Sequence, residues 1–142
     1  MSRESEIQKP LSANDLGLTG AHQAGMLVPK EAGILDFFPA LDRSQLNPRC
    51  RILVVDEHGV SWSFVFIYYN NALVRSGTRN EYRLTHMTRF LRQQAARPGD
   101  TLCLRKSEGH VRARIIRGAE PLAVEDEVIR HSGKWRVVRY SS

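Results

Sequence analysis

Seven short apolar runs, each five to ten residues long, constrain this chain more than any other feature: AGMLVP (24–29), CRILVVD (50–56), VSWSFVFIYY (60–69), EYRLT (81–85), DTLCLRKS (100–107), HVRARIIR (110–117) and KWRVVRY (134–140). They are too short for globular helices, and they are rich in the β-branched and aromatic residues that suit a pleated surface. EHG (57–59) and SEG (107–109) each put a glycine between two such runs, as tight hairpins require. Only KEAGILDFF (30–38) and HMTRFLRQQA (86–95) carry helical spacing, and PGD (98–100) terminates the second. The expectation is a mainly β fold, a mostly antiparallel barrel with two short helices at its ends.

With 142 residues the chain has enough material for one core and too little for two ordinary domains. The first ten or so residues read as a flexible start, and GAEPLAVEDE (118–127) as linker-like; no internal repeat interrupts the rest. No run approaches the roughly 18 apolar residues of a membrane span, and MSRESEIQKP lacks the apolar core of a secretory signal. A cytoplasmic protein with no membrane partner is expected. Cys50 and Cys103 lie far apart inside apolar runs, so both read as buried free thiols.

The net charge of +6 is unevenly distributed. Residues 1–74 hold 6 basic and 8 acidic side chains, residues 75–117 hold 11 and 3, and residues 118–142 hold 4 and 4. Of the 21 basic residues 17 are Arg, whose planar fork matches phosphates and guanine edges. A local, Arg-biased excess of this kind points to nucleic acid ahead of a merely solvated face. In HVRARIIR, Val111, Ala113 and Ile115 oppose Arg112 and Arg114, which marks a half-solvated strand whose arginines either meet phosphates or only face water. Trp62, Phe64, Phe66 and Tyr68 recur at period two and read as core rather than as a base-stacking platform.

No active site is legible. The positions two before Lys9, Lys30, Lys106 and Lys134 are Ile7, Val28, Leu104 and Ser132, so the acid-x-Lys element of common metal-dependent nucleases is absent. The five histidines have no HxH, HxxxH or HExxH spacing, there is no CxxC, and the acidic EDE (125–127) reads as a solvated loop. No catalytic residue, metal site, cofactor or small-molecule ligand is expected.

One stretch stands out chemically. GTRNEYRLT (77–85) gathers Arg79, Asn80, Glu81 and Arg83, and major-groove readout uses Arg on guanine, Asn or Gln on adenine, and Glu or Asp on cytosine N4. Arg79 and Arg83 are therefore candidate guanine readers and Glu81 a cytosine reader, while Asn80 either reads a base or caps the turn. Spacing of two places Arg79, Glu81 and Arg83 on one side of an extended arm. The alternative for Glu81 is an ion pair with Arg79 or Arg83 within the protein.

LSANDLGLTGAHQAGMLVPK (11–30), LNP (46–48), IYYN (67–70) and GTRNEYRLT resemble, in this order, the N-terminal effector-binding domain of EcoRII-type (type IIE) restriction endonucleases. FLRQQAARPGDTLCLRKS is similar to the helix-then-strand close of the DNA-binding pseudobarrel shared with plant auxin-response and abscisic-acid transcription factors. The resemblance implies an open antiparallel barrel of the seven-stranded type. Two arms, at about 11–30 and 75–85, would grip double-stranded DNA and read a CCWGG-type site in the major groove. It also implies a bacterial cytoplasmic setting and a fused C-terminal nuclease domain, absent from this chain, in which alone Mg2+ would be needed.

On this resemblance the first arm offers Ser12, Asn14, Asp15, His22 and Gln23, with His22 and Gln23 as base or phosphate contacts; without it, the same residues read as turns that shape a loop. Lys9, Lys30 and Arg75 are placed to take phosphates, and Thr78 stands where the family carries a basic residue. Leu27 stands where the family has an aromatic. The competing functions are a single-stranded nucleic-acid binder on an OB-like barrel and a basic protein-interaction module.

Overall fold

The computed structural model describes residues 5–19, 25–74, 76–118, 127–130 and 135–139. In chain order the elements are β1 (Ser5–Pro10), β2 (Met26–Val28), α1 (Ala32–Leu35), β3 (Arg49–Val55), β4 (Ser61–Tyr69), α2 (Asn71–Val74), β5 (Glu81–Thr85), α3 (Thr88–Gln93), β6 (Thr101–Ser107), β7 (His110–Ile116), β8 (Glu127–Arg130) and β9 (Arg136–Arg139). The strands form one curled sheet in the order β2-β5-β4-β3-β7-β6-β1-β9-β8. Every neighbouring pair is antiparallel except β3 and β7, which meet in parallel through Val54–Val111 and Val55–Arg112.

The seven expected strands and both expected helices are present, with three differences. Among the described residues there are nine strands and three helices rather than seven and two. The start of the chain is not a flexible lead: Ser5–Pro10 is an interior strand, paired to β6 on one side and β9 on the other. Its polar sequence misleads because Glu6 and Gln8, 1% and 2% exposed, satisfy each other through a 2.7 Å hydrogen bond while Ile7 enters the core. The linker-like stretch 118–127 ends inside β8; residues 119–126, including Glu125 and Asp126, lie outside the described residues.

Period-two alternation determines what fills the barrel. Phe64, Phe66 and Tyr68 of β4 point inward with Tyr82 and Leu84 of β5, Leu102 and Leu104 of β6, and Ala113 and Ile115 of β7. Phe38, Phe66, Tyr82 and Tyr68 make a column of stacked rings, with centroids 4.5, 5.5 and 4.2 Å apart in succession. The period-two aromatics are thus core, as their spacing indicated. From α3, Phe90 lies edge-on to Trp62 and Phe64 at 5.6 and 5.3 Å, sealing one end.

Hydrogen bonds across a distance hold the curl. Trp135, fully buried just before β9, donates its indole N–H to the carbonyl of Leu27 in β2 at 2.8 Å, so the two flanks of the sheet approach one another without completing a ladder. The β6–β7 hairpin turns on Glu108 and Gly109, both with positive φ (52° and 82°), as a two-residue loop of this hand needs. Cys103 is buried and its thiol is pushed up to about 12, first by burial and then by Glu6; Cys50, expected to be buried, is only half-buried near the start of β3. No described helix is long and apolar enough to cross a membrane.

Candidate nucleic-acid interface

Two connections leave opposite ends of β5 and its neighbours, the β1–β2 loop and the β4–β5 loop. In the first, Ser12 and Asp15 bond reciprocally: the Ser12 amide donates to the Asp15 carboxylate at 2.9 Å, and the Asp15 amide to the Ser12 hydroxyl at 3.2 Å. The amide of Gly17 then donates to Asn14 O (3.1 Å) and that of Leu18 to Ala13 O (2.9 Å), while the Thr19 hydroxyl donates to the Asn14 side chain at 2.8 Å. Beneath this turn Lys9 Nζ meets Asp15 at 2.5 Å and Pro10 O at 3.3 Å, with the Lys9 and Asp15 side chains only 7% and 8% exposed.

Lys9, expected as a phosphate contact, is thus buried and paired within the protein. The expected cation is consumed as a buried counter-charge that fixes the root of the loop, because Asp15 at a turn six residues on needs one. Ser12 and Asp15 likewise bond to one another and shape the loop. The loop's return is pressed against β5: Gly25 has φ 75°, and a Cβ there would lie 2.0 Å from Leu84 O, so no other residue fits. His22 and Gln23 lie outside the described residues.

In the second connection Asn71 is the organiser. Its side-chain oxygen accepts the Arg79 amide at 2.7 Å, its own carbonyl accepts Gly77 N at 3.2 Å, and Ala72 N donates to Arg79 O at 2.9 Å. The capping role considered for Asn80 thus belongs to Asn71, where β4 ends and the chain must turn. Asn80 is instead a clasp: its side-chain oxygen accepts from Lys30 Nζ at 2.8 Å and from the Tyr68 hydroxyl, tying the segment that follows β2 to the second connection. Burial raises the Tyr68 hydroxyl above its ordinary value, reinforced by Tyr82 and opposed by Arg43, so it stays a donor. Thr78 is exposed, and Arg75 lies outside the described residues.

The expected Arg79, Glu81 and Arg83 cluster is present on one outward face. Registers place Tyr69 opposite Glu81, Ile67 opposite Arg83 on one side, and Leu27 opposite Arg83 on the other. Glu81 accepts from Arg79 at 3.3 Å and from Arg83 Nε, and Arg83 also donates to Gly25 O at 3.3 Å. Burial works against the Glu81 charge, but Arg83 and then Arg79 outweigh it and hold the carboxyl below its ordinary value. The Arg79 guanidinium lies 3.8 Å above the Tyr69 ring. Side-chain exposures of 38% for Arg79, 27% for Glu81 and 11% for Arg83 separate an open head from a braced one.

Three contributors escaped the sequence reading: Asn71, Tyr68 and Tyr69. Their common signal is the run IYYNN (67–71) at the end of β4, where alternation sends Tyr68 inward and Tyr69 outward and leaves Asn71 at the turn. Among the described residues no group of three or more His, Cys, Asp or Glu side chains is arranged to hold a metal.

Comparison with known proteins gives this geometry a family. The family described as "Restriction endonuclease EcoRII, N-terminal" matches residues 4–98. Type II restriction enzyme EcoRII of Escherichia coli is 39% identical over 80 residues, which cover 54% of this chain and 19% of that protein. Auxin response factor 3 of Oryza sativa subsp. japonica is 32% identical over 113 residues (79% of this chain, 14% of the relative), and auxin response factor 4 of Arabidopsis thaliana 34% over 114 residues (80% and 13%). The chain thus spans less than a fifth of the length of these relatives. With more than half of its length matched, from the first strand to the turn after α3, the chain belongs to the EcoRII N-terminal domain family.

Proposed function

We propose that this domain binds double-stranded DNA as the effector, or recognition, unit of a restriction endonuclease, and that its two connections are arms that hold the major groove of a CCWGG-type site. The observation that carries the proposal is the outward row Arg79, Glu81 and Arg83 between the two loop roots, in a member of this family. Arg79 is the principal guanine reader, since its head is the more open of the two arginines. Arg83 acts mainly by bracing Glu81 and Gly25. Lys30 and Arg75 take phosphates, and His22 and Gln23 contribute from the first arm. Cleavage belongs to a separate, Mg2+-dependent nuclease domain that this domain delivers or activates.

The test is an anisotropy titration against a small panel. Duplex carrying the pentanucleotide should outcompete scrambled duplex, single strands and heparin at moderate salt. Equal competition by all four would refute sequence reading. Incubation with site-bearing plasmid and Mg2+ should give no chelator-sensitive cleavage that copurifies with the domain.

A further inference from the structure

The outward row that holds Arg83 does not stop at β4. Register runs from Leu27 in β2 through Arg83 in β5 and Ile67 in β4 to Arg49 in β3, and the adjacent row runs from Thr85 through Val65 to Arg51. Ile67, between Arg83 and Arg49, is 2% exposed, whereas Arg49 and Arg51 are exposed. The outward positions of β3 and β4 carry no carboxylate, and neither arginine ion-pairs with a described residue. Arg49 Nε rests on Asn47 O at 3.4 Å, at the edge of this face.

The loop roots fix a direction. The first arm returns at Gly25, beside Leu84 and Thr85, and the second ends at Asn80, immediately before Glu81, so the line joining the arms runs along β5. A rod held between them crosses the strands and therefore follows these rows. Neighbouring strands are about 4.8 Å apart, which puts β3 about 10 Å from β5, or about three base pairs along a duplex.

Resting on the DNA-binding reading above, we infer that Arg49 and Arg51 form a phosphate track for the duplex that flanks the recognised site on one side. They fix the direction in which DNA leaves the arms and read no base. The partner is committed by charge: two open cations, on a strand whose outward positions and those of its neighbour β4 carry no carboxylate, collinear with the cleft, suit a polyanion that extends past it. In the sequence Arg51 lies inside the apolar run CRILVV and Arg49 directly before it, where neither stands out as part of a basic cluster.

The experiment compares duplexes that carry the pentanucleotide with two or with eight base pairs on each side. Wild-type protein should gain affinity with the longer flanks. The double variant Arg49→Ala, Arg51→Ala should lose that gain, with a log-log salt slope smaller by about 0.9 per arginine and unchanged base preference. Arg49→Lys, Arg51→Lys should retain most of it. The charge-matched double variant Arg112→Ala, Arg114→Ala, on β7, should behave as wild type. A flank gain that persists in the alanine variant, or that disappears equally in the β7 variant, overturns the track. If wild-type protein binds flanked duplex but ignores sequence, base reading fails and the track stands or falls on the variants. If it binds no duplex, both readings fall.

Discussion

The two arms use the same kinds of charge for opposite ends. At the root of the first, Lys9 and Asp15 are paired, less than a tenth exposed, and closed off by the Ser12 turn. On the second, Arg79 and Glu81 are paired yet remain open enough to exchange partners, at 38% and 27% exposed, with Arg83 bracing them from below. A buried pair has lost its water and is costly to break, whereas an open pair has lost little and is easily exchanged for a ligand. The first arm's charges are buried against each other, and those of Arg79 and Glu81 on the second stay in reach of solvent.

Breaking the buried side of this comparison should have the largest effect. Lys9→Ala leaves Asp15 buried without its cation, and removing one partner of a buried pair costs about 3–5 kcal/mol. Denaturant unfolding should show a lower midpoint with DNA affinity lost in proportion to folded protein. The double variant Lys9→Met, Asp15→Leu should recover much of the stability. A single variant as stable as wild type would mean that the pair does not anchor the arm.

On the open side, Arg79→Ala should leave stability nearly unchanged while specific binding falls by about 1–3 kcal/mol and preference at one guanine relaxes. Titration of single-base-substituted duplexes measures both. Uniform weakening across all duplexes would reassign Arg79 to phosphate.

Asn80→Ala tests the clasp that holds the second arm to the segment following β2. It removes the shared acceptor of Lys30 and Tyr68, so about 1 kcal/mol of stability should be lost. Specific binding should weaken through slower docking of a looser second arm, whereas Lys30→Ala should weaken specific and random duplex alike. Equal base-preference profiles and association rates for Asn80→Ala and wild type would remove the clasp from recognition.

What was legible in the sequence depended on whether the signal was local. Phe64, Phe66 and Tyr68 declare an inward face by alternation alone, and spacing of two places Arg79, Glu81 and Arg83 together without any tertiary knowledge. Ser5–Pro10 was illegible as a strand because its neighbours come from β6 and β9, roughly a hundred residues on, and only those partners make Glu6 and Gln8 tolerable inside. The four residues of α2 are too few to display a period. Lys9 looked like a free cation because its partner is created by a turn that the sequence suggested but could not aim. Asn71 lost the capping role to Asn80 for the same reason: both are Asn near a turn, and only the fold decides which oxygen meets an amide.

The smallest stability effect, and the sharpest contrast with Lys9, is expected at Glu81. Its carboxyl is held below the ordinary value of 4.5 against the effect of burial, by Arg83 first and Arg79 second. A depressed folded value means that the unfolded chain takes up the proton first as pH falls. The contribution is therefore complete above the ordinary carboxylate range and is lost as pH drops through the folded value. At 27% exposure the pair is screened, so Glu81→Gln should cost about 0–1 kcal/mol at neutral pH and nothing at acid pH, where wild type has already lost the same contribution. Binding should respond differently: removing a negative charge leaves nonspecific affinity level or raised, while preference at a cytosine disappears. Unfolding at neutral and acid pH, together with the substituted-duplex panel, measures all of this. An intact fold with an unchanged base-preference profile would make Glu81 a brace for its two arginines and leave sequence reading to Arg79 alone.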